Sequence, residues 1–248
     1  MKGQYNHSRM LRNNWLIYGA LSGINKRPFD GSRKFLFSND FIIDGYPRTA
    51  NTFLTHYFME TFDFPQNRIG HHFHAPAAVY YASFFNKKAV FTLREPYGSI
   101  SSYVLHRYGH EYEKIDALGN IQLCILKYED YLDAINNIKS SNVLVFNFSD
   151  IVSNPERIME VIQKKYNLKT HSSKVGEEDK TAVVQEKIKK IETNTGNDKD
   201  VSLRVPNPNE QRNEHKKKVK EIIDENFKDS MNSVLGKYEI ALRGSFRI

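Results

Sequence analysis

The chain of 248 residues has only one cysteine, Cys124, and no apolar run long enough to cross a bilayer. A single cysteine excludes an intrachain disulfide, so we expect a reducing, cytoplasmic compartment and interpret Cys124 as a small buried hydrophobe. The stretch NWLIYGALSGI has roughly ten residues, whereas a spanning helix needs about 20. Basic residues precede this stretch and no small-x-small cleavage site follows it. We therefore interpret residues 1–33 as a packed N-terminal arm without a transmembrane segment.

Acidic residues are in the minority, since 29 Asp and Glu stand against 36 Lys and Arg and give a net charge of +7. A positive balance favours anionic ligands such as phosphates, nucleic acids or acidic glycans, without choosing among them. Hydrophobic residues make up 40% and charged residues 26%, which is typical of a globular domain. The length suits one α/β domain, and we predict that residues 1–248 form it.

Four short runs have the composition of β-strands, at residues 41–44, 68–73, 89–93 and 143–148. All but the second are nearly all apolar, which is typical of strands buried on both faces of a parallel sheet. Helical patterns alternate with them at residues 52–62, 75–84, 98–108 and 117–138. This alternation predicts an α/β fold in which a central parallel sheet is flanked by helices.

The C-terminal part of the chain is richer in charge. Ser153 is predicted to cap an amphipathic helix that has Pro155 in its first turn. Residues 172–200 are charged and poor in aromatics, and we expect a solvated helix at 177–192 followed by a loose loop. The last helix carries a basic run at 216–218, which we interpret as a solvated face because apolar residues lie behind it at helical spacing.

The stretch FIIDGYPRTANTFL predicts a strand, a turn and the start of a helix, and it nearly matches a phosphate-binding loop. In the pattern G-x-x-x-x-G-K-[ST], Gly45 and Thr52 fit, but Ala50 replaces the second glycine and Asn51 the lysine. The N–H groups of such a turn still favour an anion, and Arg48 adds a formal charge. Because Ala50 is not glycine, we expect the turn to avoid a positive φ there. Without the lysine, γ-phosphoryl transfer is disfavoured.

A second motif, FTLREPYGSISSYVLHR, follows the third predicted strand. Arg94 stands at the carboxyl end of that strand, where open α/β sheets bind ligands. Ser102 comes eight residues later in the next helix, so both side chains could bind one phosphate. The alternative is a surface arginine that pairs with Glu95.

The two motifs together resemble the sulfotransferases that use 3′-phosphoadenosine 5′-phosphosulfate (PAPS). GYPRTANTF resembles their 5′-phosphosulfate loop, typically Y-P-K-S-G-T-T-W, and LREPYGSISSYV resembles their 3′-phosphate motif. The resemblance extends from about residue 41 to 168. It implies a fold of the P-loop nucleotide-kinase type and transfer of a sulfuryl group from PAPS to an acceptor hydroxyl, with a carbohydrate favoured, or to an amine. It implies no metal and no nucleic acid.

The resemblance also implies a role for individual residues. Arg48 would contact the bridging oxygen and the 5′-phosphate and stabilise the leaving group, while Arg94 and Ser102 would bind the 3′-phosphate. The other residues implied in donor binding are Thr49, Ala50, Asn51 and Thr52 around the 5′-phosphate, Phe53 and Phe148 near adenine, and Arg204 near the 3′-phosphate.

Three histidines lie in the segment GHHFHAPAAV. In the family a histidine in an H-x-P context is the general base, and His74 occupies that position. A histidine suits this role because it titrates near neutral pH. His72 would lie on the same side of an extended chain, which leaves zinc binding by His72 and His74 open, beside a purely structural role.

Two other functions remain open from the sequence. A nucleotide-dependent kinase or NTPase of the same fold would need Mg²⁺, for which Asp44 and Asp150 are the weak candidates. A non-catalytic binder of anionic polymers would use the basic surface. The acceptor and the oligomeric state are not encoded in any motif that we identify.

Overall fold

The computed structural model describes residues 9–24, 37, 39–113, 117–170, 177–195 and 210–245. In this part of the chain four parallel strands form one sheet in the order β2-β1-β3-β4. The strands are β1 (Phe41–Gly45), β2 (Ile69–Gly70), β3 (Lys88–Leu93) and β4 (Val143–Asn147). The predicted α/β class with a central parallel sheet is confirmed.

Ten helices with defined bounds accompany the sheet in the described ranges. They are α1 (Trp15–Ile24), α2 (Asn51–Thr61), α3 (Pro76–Phe84), α4 (Pro96–Tyr108), α5 (Ala117–Asn136), α6 (Phe148–Ser153), α7 (Pro155–Tyr166), α8 (Glu177–Thr195), α9 (Glu210–Asn226) and α10 (Lys228–Gly244). Short 3₁₀ turns occur at Gln66–Arg68 and Gly109–Glu113, and residues 9–13 are helical. None of these helices is both long and apolar enough to span a membrane.

Helices cover both faces of the sheet, because alternate residues of each strand point to opposite sides. Ile42 and Phe91 pack into one buried cluster, together with residues of α3, α4, α5, α9 and α10. Ile43 and Val90 pack into the other, together with residues of α2, α7 and α8. This two-sided burial is the reason that the strands are apolar throughout. Cys124 belongs to the first cluster, and burial raises the pKa of its thiol to about 11, in agreement with the predicted structural role.

The order of the strands creates a crevice above β1 and β3. From β1 the chain passes outward to β2 and then returns to β3 on the other side of β1. Connections that leave neighbouring strands in opposite directions leave a gap at their carboxyl ends, where open α/β sheets bind ligands. In this sheet Gly45, the last residue of β1, pairs with Thr92 near the end of β3.

The second strand was predicted at 68–73, but the observed β2 begins one residue later and ends three residues earlier. Arg68 belongs to a 3₁₀ turn and forms an ion pair with Asp40, and pairing with β1 stops at Gly70. His72 and His74 have positive φ values of 58° and 50°, which are incompatible with an extended strand. The chain therefore turns back towards β1 at the histidines.

Other expectations about the later segments are also corrected. Ser153 does not cap α7, because it ends α6 and its hydroxyl donates to the Ser149 carbonyl, while Asn154 precedes α7. Phe148 begins α6 and is not the last residue of a strand. The helix predicted around the basic run is α9, which ends at Asn226, and α10 follows it after Phe227 without having been predicted. The loop predicted after 192 lies largely outside the described residues; α8 itself continues to Thr195.

The N-terminal residues 9–24 pack against the sheet domain, as predicted for the arm. Asn14 caps α1 by accepting hydrogen bonds from the N–H groups of Leu16 and Ile17. Trp15 contacts Phe85 with ring centroids 4.9 Å apart. Tyr18 donates a hydrogen bond of 2.8 Å to the carbonyl of Phe73. The arm thus lies beside the segment that carries the histidines.

Candidate functional site

The loop between β1 and α2 uses two left-handed residues. Arg48 has φ 70° and Ala50 has φ 68°, so the expectation that Ala50 avoids a positive φ is wrong. The left-handed conformation costs a non-glycine residue roughly 1–2 kcal/mol. This strain is maintained because contacts on both sides of the loop fix its path.

Three successive carbonyl groups of the loop each accept a hydrogen bond from a side chain. Thr49 Oγ1 donates to the Tyr46 carbonyl at 2.6 Å, and Ser99 Oγ donates to the Pro47 carbonyl at 3.1 Å. Arg94 Nη1 donates to the Arg48 carbonyl at 3.0 Å. The peptide planes of the loop are therefore fixed by contacts from β3 and α4.

Gly45 is required where the loop leaves β1. A Cβ atom at this position would lie 2.0 Å from Thr92 Oγ1 and 2.3 Å from Thr49 Oγ1. Those two hydroxyl groups are themselves 2.6 Å apart and are buried. The side chain of Thr49 thus joins the loop to β3, so only the backbone of this predicted site residue is left for a ligand.

Two arginines contact the buried hydroxyl of Ser102, and a third arginine and a lysine lie near them. Ser102 Oγ accepts from Arg212 Nη2 at 2.9 Å and from Arg48 Nε at 3.4 Å. The Arg94 guanidinium donates to the carbonyl of Arg48. Lys216 lies within electrostatic range of all three guanidinium groups. We call Arg48, Arg94, Arg212 and Lys216 the cation cluster.

The pKa values show that these positive charges disfavour one another. The pKa of Lys216 is lowered to about 8, first by burial and then by the neighbouring Arg212, Arg94 and Arg48 in that order. Burial also lowers the pKa of Arg94, with Arg48 as the next cause. Like charges held this close favour an anionic ligand, which would offset their repulsion. Because Ser102 Oγ accepts two hydrogen bonds, its own proton can be donated to the same ligand.

Arg94 is held in place from two sides. Its guanidinium lies over the ring of Phe148, with Cζ 4.1 Å from the centroid, and Tyr128 donates a hydrogen bond to its carbonyl. Glu95 instead caps α4 by accepting from the N–H groups of Tyr97 and Gly98. The alternative in which Arg94 pairs with Glu95 on the surface therefore does not describe this arrangement, although Glu95 raises the pKa of Arg94 electrostatically.

Two residues of the cation cluster, Arg212 and Lys216, were missed by the sequence interpretation. They lie four residues apart on α9, hence on one face of the helix. Arg212 is buried, with only 3% of its surface exposed. The sequence feature that could have indicated this role was the basic run at 216–218, whose side chains we predicted to face solvent. The residue proposed from the sequence for this role, Arg204, lies outside the described residues.

Helix α9 is fastened to the region around α4 by polar contacts. Tyr97 donates to Asp224, and Tyr112 shares a hydrogen bond with His215. Lys218 lies 3.6 Å from a carboxylate oxygen of Glu113. These contacts hold the helix in the position that brings Arg212 to Ser102.

His74 lies against the end of β1. Its Nδ1 is 2.7 Å from the Gly45 carbonyl oxygen, and its backbone N–H donates to Asp44 Oδ2 at 2.9 Å. A carbonyl can only accept, so the proton of the neutral ring must be on Nδ1, which leaves Nε2 as the basic nitrogen. Nε2 contacts His72 Nδ1 at 3.4 Å. The structure thus brings His72 and His74 together, through a turn rather than a strand.

A cavity of about 180 Å³ opens beside His74. The residues that line it are Arg12, Tyr46, Pro47, Phe73, His74, Tyr103 and Lys127. Pro47 belongs to the loop whose next residue, Arg48, contacts Ser102. The cavity and the cation cluster therefore border the same loop, residues 46–48.

The remaining predicted donor-binding residues lie at the start of α2. Asn51 is its first residue, and the buried Nδ2 of this side chain has no hydrogen-bond partner among the described residues. Within the described part of the chain no side chain caps the helix, so its first N–H groups are available to an anion. Thr52 is half-buried, and Phe53 packs against Tyr57 with centroids 5.7 Å apart.

The described residues contain no group of three or more His, Cys, Asp or Glu arranged to hold a metal ion. Compared with known proteins, the chain matches no family model, and no curated protein matches it significantly. The residues and their geometry are therefore the basis for a function.

Proposed function

We propose that the protein transfers a sulfuryl group from PAPS to an acceptor hydroxyl, on an α/β domain of the P-loop nucleotide-kinase type. The observation that carries this proposal is the arrangement around residues 46–50. Arg48 of this loop and Arg212 contact Ser102, while His74 contacts the carbonyl of Gly45 just before the loop and has Nε2 as its basic nitrogen. The reaction requires both kinds of group, because cations must bind the two anionic ends of the donor and a base must take the proton of the acceptor.

The cation cluster suits the 3′-phosphate of the donor. A phosphate brings about two negative charges and three acceptor oxygens, which offset the repulsion among Arg94, Arg212 and Lys216, whereas Arg48 is assigned to the 5′-phosphosulfate. Arg94 and Ser102 were assigned to this group by the resemblance, and Arg212 now joins them through its 2.9 Å contact with Ser102. Since ATP lacks a 3′-phosphate, this cluster would distinguish PAPS from ATP.

The 5′-phosphosulfate would lie against the loop and the start of α2. Backbone N–H groups there point towards an anion at the positive end of the helix dipole. Arg48 is the cation of the loop, and Asn51 adds a buried amide donor. The aromatic rings of Phe53 and Phe148 are the candidates to contact adenine; Phe148 already packs on Arg94.

The chemistry of the step follows from the positions of His74 and Arg48. His74 Nε2 takes the proton of the acceptor hydroxyl as its oxygen bonds to sulfur. The bond between sulfur and the bridging oxygen breaks, and its electron pair stays on the 5′-phosphate. Arg48 and the loop N–H groups stabilise this charge, which is the preorganised electrostatic contribution that usually dominates catalysis. Asp44, through the N–H of His74, orients the base.

The same contacts disfavour the kinase alternative. Asp44 is the residue before the last in β1, where a metal-binding carboxylate would be needed, but one of its oxygens accepts from the backbone of His74. The loop has Asn51 where a phosphate-binding loop has lysine. A kinase of this type would still require Mg·ATP, which makes the two functions separable by experiment.

The direct test is a thermal-shift titration with 3′-phosphoadenosine 5′-phosphate (PAP), beside ATP with and without Mg²⁺. A ligand that binds only the native state at a hundredfold excess over its Kd stabilises it by about 2.7 kcal/mol. We expect a metal-independent shift with PAP that is lost in Ser102→Ala and retained in Ser149→Ala, a serine exposed on α6. A shift with Mg·ATP alone would replace our proposal with the kinase.

A further inference from the structure

The cavity beside His74 has the size and position of an acceptor site. Its volume of about 180 Å³ corresponds to about six water molecules in the liquid, which suits a small molecule or the reacting end of a larger one. His74 lines the cavity, as does Pro47, and no residue of the cation cluster is among the lining residues. A hydroxyl group in this cavity would therefore lie near the proposed base without entering the cluster.

Two cations, Arg12 and Lys127, line this cavity, and neither is paired with a carboxylate among the described residues. Arg12 Nη2 donates to the neutral carbonyl of His74 at 2.9 Å. Neither Arg12 nor Lys127 forms an ion pair within the described ranges, whereas Arg9, one turn before Arg12, pairs with Asp130 at 2.9 Å. The carboxylate behind the cavity, Asp44, is engaged by the backbone of His74.

The two charges disfavour each other in the absence of a ligand. Burial lowers the pKa of Lys127, and the next cause is the positive charge of Arg12. Arg107, which contacts the Tyr103 hydroxyl, lowers it further. A positive charge that is partly buried near others is stabilised when an anion is placed among them.

Aromatic side chains form the apolar part of the wall. Tyr46 donates its hydroxyl to the carbonyl of Cys124 and stacks on Tyr128, so its ring is fixed by the core. Phe73 and Tyr103 complete the apolar lining. A cavity with a few convergent charges orients a small ligand by its polar groups.

We propose that this cavity binds the acceptor and that the acceptor is a hydroxylated anion, a small polyol or sugar that carries a carboxylate or a phosphate. Arg12 and Lys127 hold the anionic group, and the hydroxyl points towards His74. In the transfer the hydroxyl oxygen bonds to sulfur, the bridging S–O bond breaks, and the proton passes to His74. The transfer rests on the proposed function, but the binding of the anion does not.

The test compares three small probes of the same skeleton: glycerol, glycerate and glycerol 3-phosphate. Binding is measured by saturation-transfer NMR or calorimetry, with and without PAP so that the cation cluster is filled in one arm. We expect glycerate, glycerol 3-phosphate or both to bind at least about tenfold more tightly than glycerol, because charge-assisted hydrogen bonds supply that difference. The preferred probe identifies which anionic group the site takes.

Variants of Lys127 assign the preference to this cavity. Lys127→Gln should reduce the preference to less than about threefold, and Lys127→Arg should retain it. Lys164→Gln, an exposed lysine at the end of α7, is the matched control and should behave as the wild type. PAP binding should be equal in all four proteins.

Equal binding of the three probes to the wild type, no binding of any probe, or a preference that survives in Lys127→Gln would overturn the inference. If the preference is present but PAP does not stabilise the protein, the anion site stands and the proposed donor site fails. If PAP binds and the preference is absent, the donor site stands and the inference about the acceptor fails.

Discussion

Replacement of Arg212 by methionine is expected to change PAP affinity and folding stability in different directions. Arg212 is buried and its Nη2 contacts the same Ser102 oxygen as Arg48 Nε. The two nitrogens are therefore no more than about 6 Å apart. At an effective dielectric constant of about 20, two unit charges at that distance repel by roughly 3 kcal/mol.

In the free protein Arg212→Met removes this repulsion and one hydrogen bond worth roughly 1–2 kcal/mol. The free energy of unfolding should therefore stay unchanged or rise by about 1 kcal/mol. In the complex the variant lacks a charge-assisted contact worth about 1.5–3 kcal/mol, so the affinity for PAP should fall about 10–100-fold. The two effects have opposite signs, which a mutation that only damages the fold would not produce.

The assay is urea unfolding of the free protein and a thermal-shift titration with PAP. At a concentration a hundredfold above the wild-type Kd, ligand stabilisation should fall from about 2.7 to about 0.6 kcal/mol if Kd rises about 50-fold. Arg157→Met, which removes an exposed arginine from α7, should change neither quantity. A folded Arg212→Met protein whose Kd for PAP is within about twofold of the wild type would refute the role of the cluster.

Four further changes test other parts of the site. His74→Asn, which tolerates the left-handed backbone, should keep PAP affinity but lower kcat by about 10²–10⁴-fold; unchanged turnover would exclude His74 as the base. Gly45→Ala should destabilise the protein by about 1–3 kcal/mol in urea, because its Cβ would overlap a buried hydroxyl. Ala50→Gly should stabilise it by about 0.5–1 kcal/mol by relieving strain, and a loss of stability would contradict this reading. Above pH 8 the affinity for PAP should fall by up to tenfold per pH unit, because Lys216 loses its proton; Lys216→Met should abolish that dependence.

The lowered pKa of Lys216 also affects the stability of the free protein. Its pKa is about 8 in the folded protein, below the ordinary value of 10.5, so the folded state disfavours the charged form. The resulting cost is fully present below pH 8 and is relieved as pH rises towards 10.5, because the unfolded chain then binds more protons. The contribution of this residue to the stability of the free protein should therefore increase with pH over that interval.

Much of the fold follows from patterns that are local in the sequence. The strands β1, β3 and β4 were predicted because their residues are apolar on both faces, and α2 to α5 because helical periodicity alternates with them. The second strand was overestimated, since positive φ values at His72 and His74 are a consequence of the contacts with β1 and not of residue type.

The candidate site was predicted in part. Arg48, Arg94 and Ser102 were identified because each stands at a fixed offset from a strand end, and the structure brings them together. Arg212 and Lys216 were missed because they lie in a segment whose charge pattern resembles a solvated helix face. The left-handed conformation of Ala50 was missed because propensity disfavours it and only the anchored loop enforces it.

The sequence alone determined the strands, their alternation with helices, and the residue types at the ends of β1 and β3, because periodicity and turn chemistry act over a few neighbouring residues. Only the tertiary structure decided which distant side chains meet. Ser102 and Arg212 are 110 residues apart in the chain and Asp44 and His74 are 30 apart, yet each pair is joined by a hydrogen bond. Such contacts depend on how helices pack against the sheet, and the cost of strain and of like charges at the site is borne by the buried core around it.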